Sequence, residues 1–301
     1  MQIKKILIIG NGQIGNAILH LLNQTLNLNK NYKICIYDND ISKNLSRKTL
    51  KECVLNTDFI FFCIPSWYTK QTLTDIKPFI KKEVTIISVA KGIEKDSKQT
   101  IDQLIEKNLK NTKYALLSGP MFAREIMEDK NSFAVLASKD KKVFAQVSSL
   151  FASSKIKIEY STKVHAVAMS GVLKNIYTLI LSMVSIPLPG DNTKGFLCSE
   201  AINEMNAIMK ILKLDSKIIL GTSGLADFIA TTSSEYSQNR KVGEEIFNTG
   251  KSSIQSEGLV SLSSLIKILG KKTQKLPLLL LAEKILIQSK DPKTEIEKYF
   301  N

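Results

Sequence analysis

Near its start the chain reads Ile6-Leu7-Ile8-Ile9-Gly10-Asn11-Gly12-Gln13-Ile14-Gly15, four apolar residues followed by a glycine-rich turn. An amphipathic segment then runs from Asn16 to Leu26, so the predicted order is strand, turn and helix. Glycines leave backbone N–H groups and the positive end of the helix free to point at a phosphate. In this context the pattern predicts a dinucleotide-binding turn, although the same spacing also occurs in ordinary tight turns.

Asp38 directly follows the second predicted strand, Lys33 to Tyr37. It lies about twenty residues after Gly15, the interval at which an acidic residue hydrogen-bonds the adenosine ribose of a dinucleotide. A carboxylate there accepts from the ribose hydroxyls and repels a 2′-phosphate, so Asp38 favours NAD over NADP. Two alternatives stay open, because Asp38-Asn39-Asp40 is also a turn-forming sequence and Lys43 could serve NADP.

The charge of the chain is strongly positive, at +14, but it comes almost entirely from lysine. Of 42 basic residues only Arg47, Arg124 and Arg240 are arginine. Nucleic-acid surfaces favour arginine with interleaved aromatic residues, and no such cluster occurs, so we expect no nucleic-acid partner. The length of 301 residues and the 44% hydrophobic content predict a globular protein of two domains.

The cysteines show no Cys-x-x-Cys spacing, and only two histidines, His20 and His165, accompany them. They are Cys35, Cys53, Cys63 and Cys198. We therefore predict buried thiols, no metal site, and a hydrogen-bonded packing role for His20. The chain opens on its first strand without a signal-like segment, and the uncharged stretch from Asn175 to Gly190 is too short to span a bilayer. These features predict a reducing, cytoplasmic location without membrane insertion.

Up to Tyr160 the chain alternates strand-like and helix-like runs. After the first two strands, the predicted strands are Phe59–Ile64, Val84–Val89, Tyr114–Leu117, Phe133–Ala137 and Ile156–Tyr160. Predicted helices between them include Ser97–Leu109 and Lys141–Phe151. Such alternation is typical of a mostly parallel sheet with helices on both faces.

From Ser161 onward apolar residues recur at helical spacing, and segments such as Ala201–Leu212 and Leu276–Ile287 continue the pattern. We therefore predict an α/β protein. An N-terminal Rossmann-like, doubly wound sheet would occupy residues 1–161, and an all-helical domain would occupy residues 162–301.

Lys174 is the only charged side chain between His165 and Asp191, and apolar residues surround it. In one interpretation its long stem snorkels and the ammonium stays in water. In the other the ammonium is partly desolvated, its pKa falls toward neutrality, and it can donate a proton to a carbonyl oxygen. The residues alone leave the two interpretations open.

Two further segments favour a ligand site. Residues 117–125 follow a predicted strand at the edge where open α/β sheets hold ligands, and residues 224–232 carry Asp227 into an otherwise apolar run. Each also has a structural explanation, because Gly119-Pro120 is a common turn pair and an acidic residue often caps a helix.

Together these motifs resemble those of the bacterial-type NAD(P)-dependent sn-glycerol-3-phosphate dehydrogenases, and the resemblance covers nearly the whole chain. The family's motifs occur here in the same order, as Gly10–Gly15, Ile64-Pro65-Ser66, Lys91-Gly92-Ile93-Glu94, Ser118–Glu125, Lys174-Asn175, Gly190–Lys194, the Asp227 segment, Gln238-Asn239-Arg240 and Glu257-Gly258.

The resemblance implies reversible, NAD(P)H-dependent reduction of dihydroxyacetone phosphate to sn-glycerol 3-phosphate, which supplies glycerophospholipid synthesis, by a cytoplasmic homodimer. Lys174 would be the general acid and base, Lys91 would hold the substrate and polarise its carbonyl, and Asp227 would orient Lys174 and the substrate. The implied substrate contacts are Lys91, Gly119, Met121, Asn175, Asp227, Thr231, Ser237, Gln238, Asn239 and Arg240. The implied contacts of the cofactor, NAD or NADP, are Gly10, Gly12, Gln13, Ile14, Gly15, Asp38, Lys91, Ala123, Gln238 and Glu257.

Two departures from the family pattern keep other functions open. Gln238 stands where the family has an arginine, which removes one charge-assisted phosphate contact of about 1.5–3 kcal/mol. Glu200-Ala201 replaces a usual Arg-Gly pair. One alternative is a ketopantoate reductase-like hydroxyacid dehydrogenase, which shares this layout. The other is a catalytically degenerate nucleotide-binding homologue, which the two departures favour and the retained lysines oppose.

Overall fold

The computed structural model describes residues 3–26, 31–234 and 237–301. The chain divides into two compact units. The first, here called the sheet unit, comprises Met1–Ala90 and Thr100–Ala168, and the second, the helical unit, comprises Lys91–Gln99 and Met169–Asn301. The short segment that contains Lys91 therefore belongs to the helical unit, although it follows a strand of the sheet unit in sequence.

The sheet unit contains one seven-stranded sheet with the strand order β2-β1-β3-β4-β5-β6-β7. Its strands are β1 Lys4–Ile9, β2 Tyr32–Tyr37, β3 Phe59–Phe62, β4 Thr85–Ser88, β5 Lys113–Ser118, β6 Ser132–Ala137 and β7 Ile156–Ser161. Neighbouring strands are parallel except β5 and β6, which are antiparallel. The predicted α/β class and all seven predicted strands are confirmed. Because β2 and β3 lie on opposite sides of β1, the chain reverses direction across the sheet there, and open α/β sheets bind ligands at such a point.

The strands form because their residues are apolar on both faces. In β1, Ile6, Leu7 and Ile8 are completely buried, and every residue of β3 is buried. Parallel strands that are covered on both faces have sequences that are continuous apolar runs. The edge strand β2 is only half-buried, and Ile34 and Ile36 pack against the core that lies beneath the first helix.

The helices of the sheet unit are α1 Gln13–Leu26, α2 Leu50–Val54, α3 Ser66–Ile76, α4 Ile101–Asn108, α5 Ala123–Met127 and α6 Lys141–Ser149. The helix predicted from Ser97 begins four residues later, at Ile101. Its start is set by Thr100 and Gln103, which form a capping box in which each side chain bonds the other residue's backbone N–H. The residues before it, including Ser97, form a turn in which Glu94 accepts two backbone hydrogen bonds.

The helical unit is built from long amphipathic helices and one central apolar helix. Its helices are α7 Val164–Val184, which starts in the sheet unit, α8 Asp191–Ile211, α9 Asp227–Ser233, α10 Gln238–Thr249, α11 Glu257–Leu269, α12 Pro277–Leu286 and α13 Pro292–Phe300. The helix predicted from Ala201 is the second half of α8. Among the described residues α7 alone is long and apolar enough to cross a bilayer by length and composition, and 89% of its most apolar window is buried inside the protein.

Candidate active site

Lys174 lies in the middle of α7 with only 8% of its side chain exposed. Its Nζ donates a hydrogen bond to Thr231 Oγ1 at 3.2 Å and lies 3.5 Å from Asp227 Oδ1. Val172, Leu173 and Ile176, beside it in the helix, are buried. The ammonium therefore does not reach bulk water, and the snorkelling interpretation is wrong.

Asp227 is shared by two lysines. Lys91 Nζ lies 2.5 Å from Asp227 Oδ2, while Lys174 faces Oδ1 of the same carboxylate. Only 4% of the Asp227 side chain is exposed, so the carboxylate depends on these cations for the charge compensation that water would supply outside. Thr231 completes the group by donating its hydroxyl to the Asp227 backbone oxygen at 2.6 Å, which leaves a lone pair for Lys174.

An irregular segment places Asp227 at this position. A 3₁₀ turn over Ser216–Leu220 leads into a π-helical turn over Thr222–Ala226, and α9 begins at Asp227 itself. A side chain on Gly224 would collide with the backbone oxygen of Ile219, so the two turns pack this closely only around a glycine. Single π turns inside helical segments often mark functional sites, because they re-aim the residues that follow them.

Burial controls the proton affinity of Lys174. The pKa of this lysine is lowered from 10.5 to about 8, chiefly by desolvation and also by the charge of Lys91, although Asp227 and Glu257 act in the opposite direction. An ammonium of this kind stays mostly protonated at neutral pH but releases its proton far more readily than a surface lysine. The structure thus supports the functional interpretation of this residue.

Two asparagines hold the Lys91 backbone beside α7. Asn175 Nδ2 donates to the Lys91 carbonyl at 3.0 Å, and Asn239 Nδ2 donates to Asn175 Oδ1 at 3.3 Å. Gly258 allows α11 to approach here, because a Cβ on it would lie 2.5 Å from the Asn175 backbone oxygen. Asn239 is 94% buried, yet its Oδ1 has no partner among the described residues. A buried polar atom without a partner is costly, which is a reason to expect a ligand there.

The N-terminus of α10 carries three more of the predicted substrate contacts, Ser237, Gln238 and Arg240. Ser237 is buried, whereas Gln238 and Arg240 are exposed. Arg240 Nε is 3.0 Å from Glu244 Oε1, so its charge is already partly balanced. A cavity of about 360 Å³ within the helical unit is lined by Arg240 and Lys194 together with hydroxyl groups that include Thr178.

The glycine turn of the sheet unit has the conformation that the sequence predicted. Gly10 has φ +100°, and a Cβ on it would lie 2.5 Å from the Cys63 backbone oxygen. No atom lies within 4 Å of a Cβ built on Gly12, so this position is open to a ligand, while Gly15 packs directly against the backbone of Gly10. Gln13 and Ile14 are the first two residues of α1, whose first N–H groups are available to an anion.

A cavity of about 440 Å³ lies beside this turn. It is lined by Gly10 and Gly12 and by residues after β2 and β3, including Asp38, Pro65 and Tyr68. Asp38 Oδ2 accepts from the Asn11 N–H at 2.7 Å, and its Oδ1 accepts from the Asp40 N–H at 2.9 Å. Asp38 is thus a turn-forming residue and a cavity-lining residue at once, so the two interpretations of it do not exclude each other.

Comparisons with known sequences identify the family. A family model described as the NAD-dependent glycerol-3-phosphate dehydrogenase N-terminus matches residues 22–144, and the corresponding C-terminus model matches residues 163–297. The chain belongs to this dehydrogenase family. A glycerol-3-phosphate dehydrogenase [NAD(P)+] of Clostridium tetani is 30% identical over 265 residues, which cover 81% of this chain and 74% of that protein.

Other members extend the likeness to the full length. The Clostridium botulinum glycerol-3-phosphate dehydrogenase [NAD(P)+] is 27% identical over 98% of this chain and 96% of that protein. The crystal structure of glycerol-3-phosphate dehydrogenase from Coxiella burnetii superposes with a TM-score of 0.87 at 20% identity, and covers 99% of both chains. The protein therefore has the fold of this dehydrogenase family and is an NAD(P)-dependent oxidoreductase.

The predicted site residues fall into two groups. Hydrogen bonds or ion pairs within the helical unit join Lys91, Lys174, Asn175, Asp227, Thr231 and Asn239. Glu257 acts on the charge of Lys174 from α11 of the same unit. The glycine turn, Asp38, Gly119, Met121 and Ala123 belong to the sheet unit. There, Gly119 has φ +149° at the end of β5, Met121 is buried, and Ala123 begins α5.

One residue that fixes the Lys91 segment could not be recognised from the motifs of the sequence. Ser261 Oγ, completely buried in α11, accepts a hydrogen bond from the Ile93 N–H at 3.1 Å. The available signal was weak, because Ser261 is one of three serines, with Ser263 and Ser264, among the apolar residues of Leu259–Leu265. A second correction concerns the cysteines, because Cys53 and Cys63 are buried as predicted but Cys35 and Cys198 are only half-buried. His20 bonds Asp129 and Gln24, in agreement with a satisfied histidine.

Proposed function

We propose that this protein catalyses the reversible NAD(P)H-dependent reduction of dihydroxyacetone phosphate to sn-glycerol 3-phosphate, and so supplies glycerophospholipid synthesis. The observation that carries the proposal is the buried Lys174, held by Asp227 and Thr231 and lowered in pKa to about 8. In this proposal residues 1–161 bind the cofactor, and residues 162–301 supply most of the groups that handle the substrate, joined by Lys91 from the first range.

The residues of the glycine turn fit a dinucleotide. Gly12 is open where a pyrophosphate would approach, and Gly10 adopts a backbone conformation that other residues avoid. The N-terminus of α1 adds unpaired N–H groups and a positive helix end. Gly10, Gly12, Gln13, Ile14 and Gly15 would therefore hold the phosphates. When bound, the reduced nicotinamide supplies the hydride for the substrate carbonyl.

Lys174 would act as the general acid. As the carbonyl carbon is reduced, its oxygen gains negative charge, and a nearby ammonium both stabilises that charge and delivers a proton to the oxygen. The lowered pKa makes this transfer easier than from an ordinary lysine, because burial already disfavours the charged form. In the reverse direction the neutral amine would accept the proton of the alcohol.

Asp227 and Lys91 would set the geometry of that transfer. Each oxygen of the Asp227 carboxylate binds one of the two ammonium groups, so the carboxylate fixes the distance between Lys91 Nζ and Lys174 Nζ. Lys91 is the more exposed of the two, with 16% of its side chain accessible, and would polarise the substrate carbonyl. Asn175 anchors the Lys91 backbone, so the positions of the two lysines are coupled through α7.

The substrate phosphate would bind near the start of α10. Ser237, Gln238 and Asn239 begin that helix, whose N-terminus attracts an anion, and Arg240 follows. Gln238 can donate hydrogen bonds but carries no charge, so the phosphate would be held less tightly than by an arginine. Arg240 compensates only in part because Glu244 already pairs with it.

We also propose a preference for NAD. Asp38, Asp40 and Asp75 line the cavity beside the glycine turn, and Lys43 is the only cation among its described lining residues. Lys43 Nζ is 3.0 Å from Asp40 Oδ2, so its charge is balanced within the protein. The excess of carboxylates would repel a 2′-phosphate. A cytoplasmic homodimer formed through the helical unit remains a prediction from the family resemblance, and light scattering of the purified protein tests its size.

One assay tests the proposed reaction against both alternatives. NADH and NADPH absorbance is followed with dihydroxyacetone phosphate and, separately, with ketopantoate. We expect turnover with the first substrate only, its loss in Lys174→Ala, and no change in Lys210→Ala, which removes an exposed lysine from α8 of the same unit. Turnover with ketopantoate would favour the hydroxyacid dehydrogenase. NADH binding without turnover of either substrate would favour the degenerate homologue.

A further inference from the structure

Two cysteine sulfurs lie unusually close in the sheet unit. Cys35 Sγ, on the edge strand β2, is 3.1 Å from Cys53 Sγ on α2. Both are free thiols, the first half-buried and the second 5% exposed. A disulfide bond is about 2.0 Å long, so the pair needs to close by only ~1 Å to become linked.

The elements around the pair hold it in place. α2 packs against β2, and Ser46, in the connection between them, donates its N–H to the Ile36 carbonyl at 3.1 Å. The Ser46 hydroxyl also accepts from Cys53 Sγ at 3.4 Å. The connection therefore folds back onto β2, and the two sulfurs meet through local structure.

The thiol pair is next to the cavity at the glycine turn. Side chains two apart on a strand share a face, so Cys35 is on the same face of β2 as Tyr37. Residues three apart on a helix also share a face, so Cys53 lies beside Leu50 on α2. Tyr37 and Leu50 both line the cavity. The connection closed by a Cys35–Cys53 bond would contain Asp38, the residue that would meet the ribose.

We propose that Cys35 and Cys53 are a redox modification site, which forms a reversible disulfide that weakens dinucleotide binding in the adjacent cavity. The consequence for the cofactor rests on the proposed function, whereas formation of the bond does not. Binding sites hold their ligands only when their groups stay within about 0.5 Å of the productive positions. Closing the sulfurs by ~1 Å would draw α2 toward β2 and move Leu50, which lines the cavity.

The co-reactant would be a low-molecular-weight disulfide. One protein thiolate attacks it, forms a mixed disulfide and expels the first small thiol. The second protein thiol then attacks the mixed disulfide and expels the other, so two protein thiols become one disulfide and the oxidant becomes two thiols. Burial and the neighbouring sulfur raise the pKa of Cys35 to about 12, while Ser46 and Lys48 lower it, so the exchange is slow at neutral pH.

The experiment treats the full-length protein with oxidised glutathione at about pH 8.5, where thiolate is more abundant. Free thiols are counted, and tryptic peptides are sequenced by mass spectrometry without reduction. We expect the count to fall from four to two, with a link between the peptide 34–43 and the peptide 52–70. The second peptide also contains Cys63, so fragment ions that separate it from Cys53 are needed. Dithiothreitol should restore all four thiols.

NADH binding is measured by fluorescence titration before and after oxidation. We expect a Kd that is at least about threefold higher in the oxidised protein, reversal by dithiothreitol, and no change on oxidation of Cys35→Ser or Cys53→Ser. Cys198→Ser is the matched control, because it removes a half-buried thiol from the helical unit and should leave the effect intact.

Two kinds of result would overturn the proposal, and a third would overturn the proposed function on which its consequence rests. Glutathione adducts without a cross-link, or a link that joins Cys63 or two chains, would refute the site. A Cys35–Cys53 link with an unchanged NADH Kd would refute its coupling to the cofactor. If the reduced protein failed to bind NADH, the proposed function would fail, while the peptide map would still decide whether the bond forms.

Discussion

Replacing Asp227 by asparagine tests the electrostatic core of the proposed mechanism. Asp227→Asn keeps the shape of the side chain but removes the negative charge that faces Lys174 at 3.5 Å and Lys91 at 2.5 Å. At an effective dielectric constant of about 20, a charge pair at such a separation contributes about 4 kcal/mol, the equivalent of roughly a thousandfold in proton affinity as an upper bound. The pKa of Lys174 should therefore fall well below its present value of about 8.

The sign of the effect follows from the proposed role of Lys174 as the general acid. A general acid works while it is protonated, so carbonyl reduction by the unmodified protein should decline as the pH rises through about 8. In Asp227→Asn the decline should begin at least about one pH unit lower, and kcat/KM at pH 7.5 should drop about tenfold or more. The reverse reaction, oxidation of the alcohol, requires the neutral amine of Lys174, so its kcat/KM should fall less at pH 7.5.

The assay is the pH dependence of kcat/KM for dihydroxyacetone phosphate, followed by NADH absorbance between about pH 5.5 and 9.5. Glu297→Gln serves as the control, since it removes an exposed carboxylate from α13 of the same unit. Its profile should match that of the unmodified protein. If Asp227→Asn lost activity equally at every pH, with the alkaline limb in its original place, Lys174 would not be the group whose titration limits the reaction.

Three further predictions concern binding and stability. Gln238→Arg should lower the KM for dihydroxyacetone phosphate by about tenfold, because a guanidinium adds a charge-assisted contact to phosphate; an unchanged KM would mean that another cation holds it. The hydrogen bond that His165 donates to the Asp102 carboxylate raises the pKa of His165 in spite of burial, so its stabilising effect is complete below the ordinary pKa of about 6.5 and is lost as the pH rises through the raised value. Urea midpoints measured from acid to alkaline pH should show that loss, and Asp102→Asn should abolish the trend. Glu204→Ala should lower the free energy of unfolding by about 3–5 kcal/mol, since it leaves the Tyr177 hydroxyl and two N–H groups of α12 unpaired in the core; a loss under about 1 kcal/mol in urea unfolding would refute that role.

The sheet could be predicted because its signals are local. Continuous apolar runs bounded by turn residues define β1 and β3 whatever the rest of the chain does, and the Gly10–Gly15 turn connects its strand and helix directly. The first residue of a helix is harder to predict where a capping side chain determines it. Thr100 and Gln103 start α4 by capping its N–H groups, and a periodicity of apolar residues does not detect that competition with the preceding turn.

The charge state of Lys174 could not be predicted from the sequence, because it depends on distant residues. Its apolar neighbours in α7 are compatible with a helix rim as well as with a core. The burial that lowers its pKa comes from packing of the whole unit, and the partners that hold it, Asp227 and Thr231, are more than fifty positions away in the chain.

The position of Lys91 also depends on residues that are distant in the chain, so it could not be predicted from the sequence. Lys91 follows β4 in the chain, and the order of the strands alone would assign it to the sheet unit. It belongs to the helical unit because the Asn175 side chain bonds its carbonyl, 84 residues away, and Ser261 bonds the N–H of Ile93, 168 residues away. A polar side chain in an apolar helix is ambiguous until its partner is known. Ser261→Ala should therefore loosen this segment and raise the KM for the substrate more than it lowers kcat, because it acts on the position of Lys91 and leaves the proton donor in place. An equal fall in kcat and kcat/KM would instead mean that this segment matters mainly for polarising the carbonyl in the chemical step, and not for holding the substrate.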